Sequence, residues 1–440
     1  MKEVLSERIA QWQSRVLATE PMRFEGHVIQ VVGLVIESAG PPAKVGEVCI
    51  VEAGEGQRVP TEVVGFREGR LLLMPLGDMG GIAPGARVRA TGQSLRVPVG
   101  PSLLGRIVDG LGNPIDGRGP LGATRQVPVD RSPPNPLSRS RIRHPLATGV
   151  RALDALLTVG VGQRLGIFAG SGVGKSTLLG MLARQAAADV NVIALIGERG
   201  REVREFLEED LGPTGLARSV VVVATSDAPA LVRLKGAFVA TAIAEHFRDE
   251  GANVLLMMDS VTRFAMAQRE VGLATGEPPA TKGYTPSVFA LLPRLLERAG
   301  MGEEGGITGL YTVLVDADDF NEPISDAVRG ILDGHVILSR ALAAQNHYPA
   351  IDILQSVSRV QPLIQPEAPV AHASALRGRL ALYEEHKDLV TLGAYVPGSD
   401  PEVDRAIALR PDLQAFLRQG KHEHTPFTET MTRLESLALR

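Results

Sequence analysis

The run Ala169-Gly170-Ser171-Gly172-Val173-Gly174-Lys175-Ser176-Thr177 constrains the fold of this 440-residue chain more than any other segment. An apolar stretch, Arg164 to Phe168, leads into it, and a helical pattern over Lys175 to Ala188 follows. Strand, glycine-rich turn and helix in that order form a phosphate cradle: the glycines let successive backbone N–H groups point at one anion, and the helix N-terminus adds partial positive charge. The usual pattern opens on Gly where this chain has Ala169, and a small residue suffices there. Lys175 would neutralise the β- and γ-phosphates of a bound ATP, and the Ser176 hydroxyl would reach Mg²⁺.

A loop of this kind needs a parallel sheet around it. Further strand candidates are Val190 to Ile196, Ser219 to Thr225, Asn253 to Met258 and Gly309 to Val315. They alternate with helical stretches, notably Arg201 to Leu211 and Ala230 to Arg248, the signature of a parallel sheet flanked by helices. Ligands of such sheets bind at the carboxyl ends of the strands. Asp259 stands at one of these ends after an apolar run and fits a carboxylate that holds Mg²⁺, directly or through water. At another stands Gly197-Glu198-Arg199, and a Glu there can polarise an attacking water. Glu202 and Glu205 read as solvated helix residues, and spacing alone does not choose among these carboxylates.

Upstream, from about Glu25 to Arg96, short β-rich runs broken by Gly and Pro predict a small closed barrel: His27 to Ile36, Val45 to Glu52, Glu62 to Arg67, Arg70 to Pro75 and Ala86 to Ala90. Between Gly26 and Gly92 the only Phe, Tyr or Trp is Phe66, too little for a base-stacking surface. Residues 1 to about 20 space Val4, Leu5, Ile9, Trp12, Val16 and Leu17 as an amphipathic helix that Pro21 ends. Pro98 to Pro136 reads as an extended connection, and Arg139, Arg141, Arg143 and His144 as a solvated linker face. Past Arg359 the chain turns helical. The division expected is a helix over 1–22, a barrel over 23–95, an α/β nucleotide domain over 96–360 and a helical domain over 361–440.

Composition narrows the function. A net charge of −4 supplies no global basic field for nucleic acid or anionic lipid, so no nucleic-acid partner is expected. The single cysteine, Cys49, excludes an internal disulfide framework and any CxxC site. No apolar run approaches the ~18 residues of a membrane span, and Glu3, Glu7 and Arg8 interrupt any signal-peptide core. A cytoplasmic protein is the expectation.

Three further segments join the phosphate loop: Gly197-Glu198-Arg199-Gly200-Arg201-Glu202-Val203, Asp259-Ser260-Val261-Thr262-Arg263-Phe264-Ala265, and Gly276-Glu277-Pro278-Pro279-Ala280-Thr281-Lys282-Gly283-Tyr284. Together they resemble the type III protein export ATPases, relatives of the catalytic β-subunit of the rotary ATP synthase. Pro323 to Asp326 and Ile331 to His335 resemble the export branch, and within it the flagellar enzyme more than the injectisome one. The resemblance covers essentially the whole chain. It implies an N-terminal β-barrel, a central RecA-like P-loop domain and a C-terminal helical domain, assembled as a homohexamer that hydrolyses MgATP. It implies Glu198 as the catalytic carboxylate, Lys175, Arg199 and Arg263 at the γ-phosphate, and Arg359 of Ser356-Val357-Ser358-Arg359-Val360 as an arginine finger reaching into the neighbouring subunit. It leaves the adenine pocket open: Gln365 to Pro369 carries no aromatic, and Phe427 is one source of a face.

The partners it implies are a central coiled-coil stalk protein facing the acidic loop Asp316 to Pro323, a stator-like regulator on the N-terminal helix, export-gate membrane proteins at the inner membrane, and export chaperones with their substrates. Two other readings share the architecture. A hexameric RNA helicase is disfavoured by the barrel's lack of aromatics, and a non-catalytic ring subunit by the presence of Glu198.

Overall fold

The computed structural model describes residues 12, 24–315, 319 and 322–440. The expected helix over 1–22 lies outside them except for Trp12, which is helical and exposed. Most of the acidic loop 316–323 lies outside them as well. The chain divides into two compact units, residues 1–95 and 96–440.

The first unit holds six antiparallel strands: β1 (Glu25–Val32), β2 (Val35–Ala39), β3 (Glu47–Glu52), β4 (Arg58–Arg67), β5 (Arg70–Pro75) and β6 (Arg87–Ser94). They close in the order β1-β2-β5-β4-β3-β6. Val28, Ile36, Cys49, Val51, Val63, Leu73 and Val88 fill the interior. The single strand expected over His27 to Ile36 is in fact a hairpin. Val32 pairs with Val35, and Gly33 takes a positive φ of 59°, the conformation a two-residue hairpin loop demands. Valines and isoleucines on both sides of that one glycine hide the turn from a pattern search.

The second unit is built on a sheet in the order β17-β16-β10-β15-β13-β11-β12-β8, with the short β14 (Gly300–Met301) pairing off this path. Its members are β8 (Ile107–Asp109), β10 (Arg164–Ala169), β11 (Val190–Ile196), β12 (Ser219–Ala224), β13 (Asn253–Asp259), β15 (Gly306–Leu314), β16 (Gly334–Leu338) and β17 (Ile351–Ser358). From β16 to β8 every neighbour along this path is parallel; β17 runs antiparallel at one edge, and the short β14 pairs antiparallel with β15. The supposed connection over Pro98 to Pro136 therefore supplies the opposite edge strand, β8, as well as the β7 (Arg96–Val99) and β9 (Arg125–Pro128) pair. Three residues are too few to show a period. Arg139 also departs from expectation. Half-buried, it donates to the Ala299 carbonyl at 2.8 Å and binds Glu297, so it staples the linker to the domain.

The helix Ala230–Asp249 packs across the sheet. It presents Glu245, 1% exposed, to Arg298, which is 0% exposed. The guanidinium binds both carboxylate oxygens, at 2.8 and 2.7 Å, and donates a third bond to the Val129 carbonyl. A buried pair this completely bonded is lost badly one partner at a time. Glu245→Gln is expected to destabilise the second unit by about 3–5 kcal/mol, read as a lowered midpoint in chemical or thermal unfolding.

Three helices, Glu367–Thr391, Pro401–Leu417 and Phe427–Ala438, end the chain. Leu376, Leu413, Phe416 and Leu434 belong to the same continuous core as Leu165, Ile193 and Leu255 of the sheet. Arg151, buried under them, donates to the Phe416 carbonyl at 2.8 Å and to Thr425 Oγ1 at 2.9 Å.

Candidate active site

β10 is buried along nearly its whole length and delivers the chain to the phosphate loop at the carboxyl edge of the sheet. Gly172 and Gly174 take φ of 78° and 90°, which side-chain-bearing residues rarely adopt. Gly174 immediately precedes the helix Lys175–Gln185. The strand next to β10 is β15, and the one after is β13, whose last residue is Asp259, 4% exposed. That order sets Lys175 Nζ 2.5 Å from Asp259 Oδ1 and 3.5 Å from Glu198 Oε1. Thr312, on β15 between the two strands, donates to the same Asp259 oxygen at 2.7 Å. Lys175, Glu198 and Asp259, read separately from the sequence, thus stand in contact.

Glu198 follows β11 across a turn at Gly197, which has a φ of 70°. A Cβ there would lie 2.8 Å from that of Arg263, so glycine is required both by conformation and by space. The Nε of Arg263 is buried at the wall of the site and has no hydrogen-bond partner among the described residues. An unpaired buried guanidinium N–H is a donor in want of an anion. Arg199 is 74% exposed at the rim, 3.2 Å from Glu202. These side chains and the loop enclose a cavity of about 500 Å³.

Burial, then the negative charge of Asp259, push the Glu198 carboxyl up to about 7, against the opposing pull of Lys175. A hydrogen bond with Glu202 adds to the rise and holds Glu202 below its ordinary value. Glu202 is therefore part of the site and not the solvated helix residue its spacing suggested. Burial alone would lower the Lys175 ammonium, but Asp259 and Glu198 outweigh it and keep the amine charged.

Arg359 stands apart. It is exposed, its N–H bonds the Asp333 carbonyl, and Asp333 in turn bonds the Arg164 carbonyl at the amino end of β10. Six residues of strand, about 20 Å, separate that point from the phosphate loop. No arginine side chain spans it, so Arg359 does not serve the site of its own subunit.

Tyr348 was missed in the sequence. Its ring lies 3.3 Å from where a Gly174 Cβ would be, and it is 40% exposed. An aromatic between a sharp turn and a strand start was the available signal. Phe427 instead opens a helix that packs on Arg151–Leu156 and Glu367–Thr391. As for a metal, the donor set of an Asp259 carboxylate and the Ser176 hydroxyl is all hard oxygen, which suits Mg²⁺.

Residues 28–92 match the beta-barrel domain of the ATP synthase alpha/beta family, 149–358 its nucleotide-binding domain, and 366–436 the T3SS EscN ATPase C-terminal domain. The chain is 56% identical to the flagellum-specific ATP synthase of Bacillus subtilis, over 95% of this chain and 96% of that protein. It is 53% identical to the type 3 secretion system ATPase of Xanthomonas euvesicatoria, over 96% of each. Among solved structures, the assembled ATPase EscN of enteropathogenic E. coli in complex with its central stalk EscO superposes with a TM-score of 0.87 at 45% identity, covering 94% of this chain and 100% of that one.

Proposed function

Because this chain belongs to the type III secretion and flagellar export ATPases, a branch of the ATP synthase alpha/beta family, we propose that it hydrolyses MgATP as a homohexamer to drive protein export, in a flagellar apparatus. The observation that carries the reading is the Lys175–Glu198–Asp259 contact at the carboxyl edge of the sheet. The flagellar assignment rests on the 56% identity to the Bacillus subtilis protein, and restoration of motility in a flagellar export mutant tests it.

In this mechanism the phosphates of ATP draw Lys175 from the carboxylates, and the loop N–H groups of Gly170 to Thr177 bind them. Ser176 and Asp259 would hold Mg²⁺, which neutralises the β- and γ-oxygens. Glu198, poised near neutrality, orients the attacking water and takes its proton. Arg263, Arg199 and a neighbour's Arg359 stabilise the charge that develops on the γ-phosphoryl group. Tyr348 offers the adenine a stacking face; Tyr348→Ala should raise KM for ATP about tenfold while kcat changes little, as steady-state kinetics would read.

The hexamer is supported by Arg359, which no subunit can use alone, and by a relative solved in assembled form on a central stalk. A stalk protein in the ring, a regulator on residues 1–22, export-gate proteins, and chaperones with their cargo complete the proposed partners. Among the described residues no helix is long and apolar enough to cross a membrane, which fits a peripheral place at the cytoplasmic face of the inner membrane. ATPase rate per subunit should climb with protein concentration and ignore single-stranded RNA. Strong stimulation by RNA would overturn the export reading in favour of a helicase.

A further inference from the structure

A second cavity, of about 330 Å³, shares no lining residue with the nucleotide site. It lies between β17, the helix Arg340–Ala344 and the C-terminal helices Glu367–Thr391 and Pro401–Leu417. Its walls are largely apolar, formed by Leu342, Ile353, Leu380, Leu409 and Leu413, and its volume falls at the small end of the range for organic ligands.

The charged groups at its margin are not equivalent. Glu384 is taken by Lys387 at 2.8 Å. Asp352 accepts from the Gln355 amide at 2.7 Å and from the backbone N–H groups of Leu354 and Gln355. Arg379 donates to the Leu437 carbonyl. Arg410 is left: its guanidinium lies over the Tyr383 ring, 4.2 Å from the centroid, and among the described residues no carboxylate or carbonyl accepts from its N–H groups. A half-buried guanidinium stacked on an aromatic keeps its fork of donors free for a planar anion.

We propose that this cavity binds a small amphipathic carboxylate, its apolar body among the leucines and its carboxylate on Arg410. The β17 wall gives such a ligand a route to turnover. Between the pairs Ile337–Asp352 and His335–Val357 the register of β17 shifts, so its residues Ile353 to Ser356 bulge from the ladder beside the cavity. The same strand follows Tyr348 and ends next to Arg359. A ligand leaning on the bulge would alter hydrolysis without competing with ATP. That last clause rests on the proposed ATPase; the binding itself does not.

Calorimetric titration of the full-length protein with sodium decanoate, under saturating MgADP, tests the site. One decanoate per subunit is expected, weakened about tenfold or more by Arg410→Gln and abolished by Ala406→Trp, which fills the cavity. Arg410→Gln alters a half-exposed side chain and leaves the core intact, so it decides the matter even if the tryptophan variant fails to fold. Absence of saturable binding, displacement by MgADP, equal affinity for decanol, or indifference to Arg410→Gln would each overturn the assignment. An enzyme inactive in ATP hydrolysis but binding decanoate in this pattern would sink the catalytic reading and leave the cavity site standing.

Discussion

Glu198→Gln should bind MgATP with near-normal affinity and lose turnover by about 10²- to 10⁴-fold. The substitution keeps the shape of the side chain and its place beyond Gly197, so the loop and Lys175 are left to hold the phosphates, and Ser176 and Asp259 would still hold Mg²⁺. What disappears is a carboxylate that can take a proton. Burial and the neighbouring Asp259 set that group at about 7, close to where a base is most effective. Fluorescent-nucleotide binding and phosphate release, measured on one preparation, separate the two effects. Near-normal phosphate release would remove Glu198 from the chemistry and leave Glu202, its hydrogen-bond partner, as the carboxylate to examine.

Arg359→Ala should be as inactive, by about 10³- to 10⁵-fold, and for a different reason. The site of its own subunit is untouched, since the guanidinium is separated from it by the length of β10. The two variants should therefore rescue each other. Mixed in equal amounts, about a quarter of the seams in a ring would join an intact Glu198 to a neighbour's intact Arg359. Activity should rise from near zero toward that fraction of the wild-type rate. Absence of rescue at every mixing ratio, with ring formation verified, would leave Arg359 as a structural residue holding the Leu332 and Asp333 carbonyls.

How much of this was legible beforehand depended on where each signal resides. The phosphate loop announces itself because its requirements are local: glycines for positive φ, lysine and serine at fixed offsets. Strands β10 to β13 were legible because a strand buried on both faces must be continuously apolar. Asp259 and Glu198 were placed by the rule that ligands meet strand ends. Thr312 was not legible, because its role comes from lying between β10 and β13, an order set by tertiary pairing. Tyr348 reaches Gly174 across more than 170 residues. The edge strand β8 was too short for periodicity, and Gly33 turned a hairpin inside an unbroken apolar run. Arg139 read as solvated because its acceptors, Glu297 and the Ala299 carbonyl, come from a distant segment.

The closure of β1 to β6 has one more consequence. A sheet that closes on itself has spent its main-chain donors and acceptors internally. Copies of this barrel brought side by side cannot zip together by backbone hydrogen bonds, the route that makes strand-edge association sticky and hard to undo. Whatever cohesion they have must come from side chains such as Val32 and Phe66, both exposed. Cohesion of that kind is reversible, and evolution can adjust it one residue at a time.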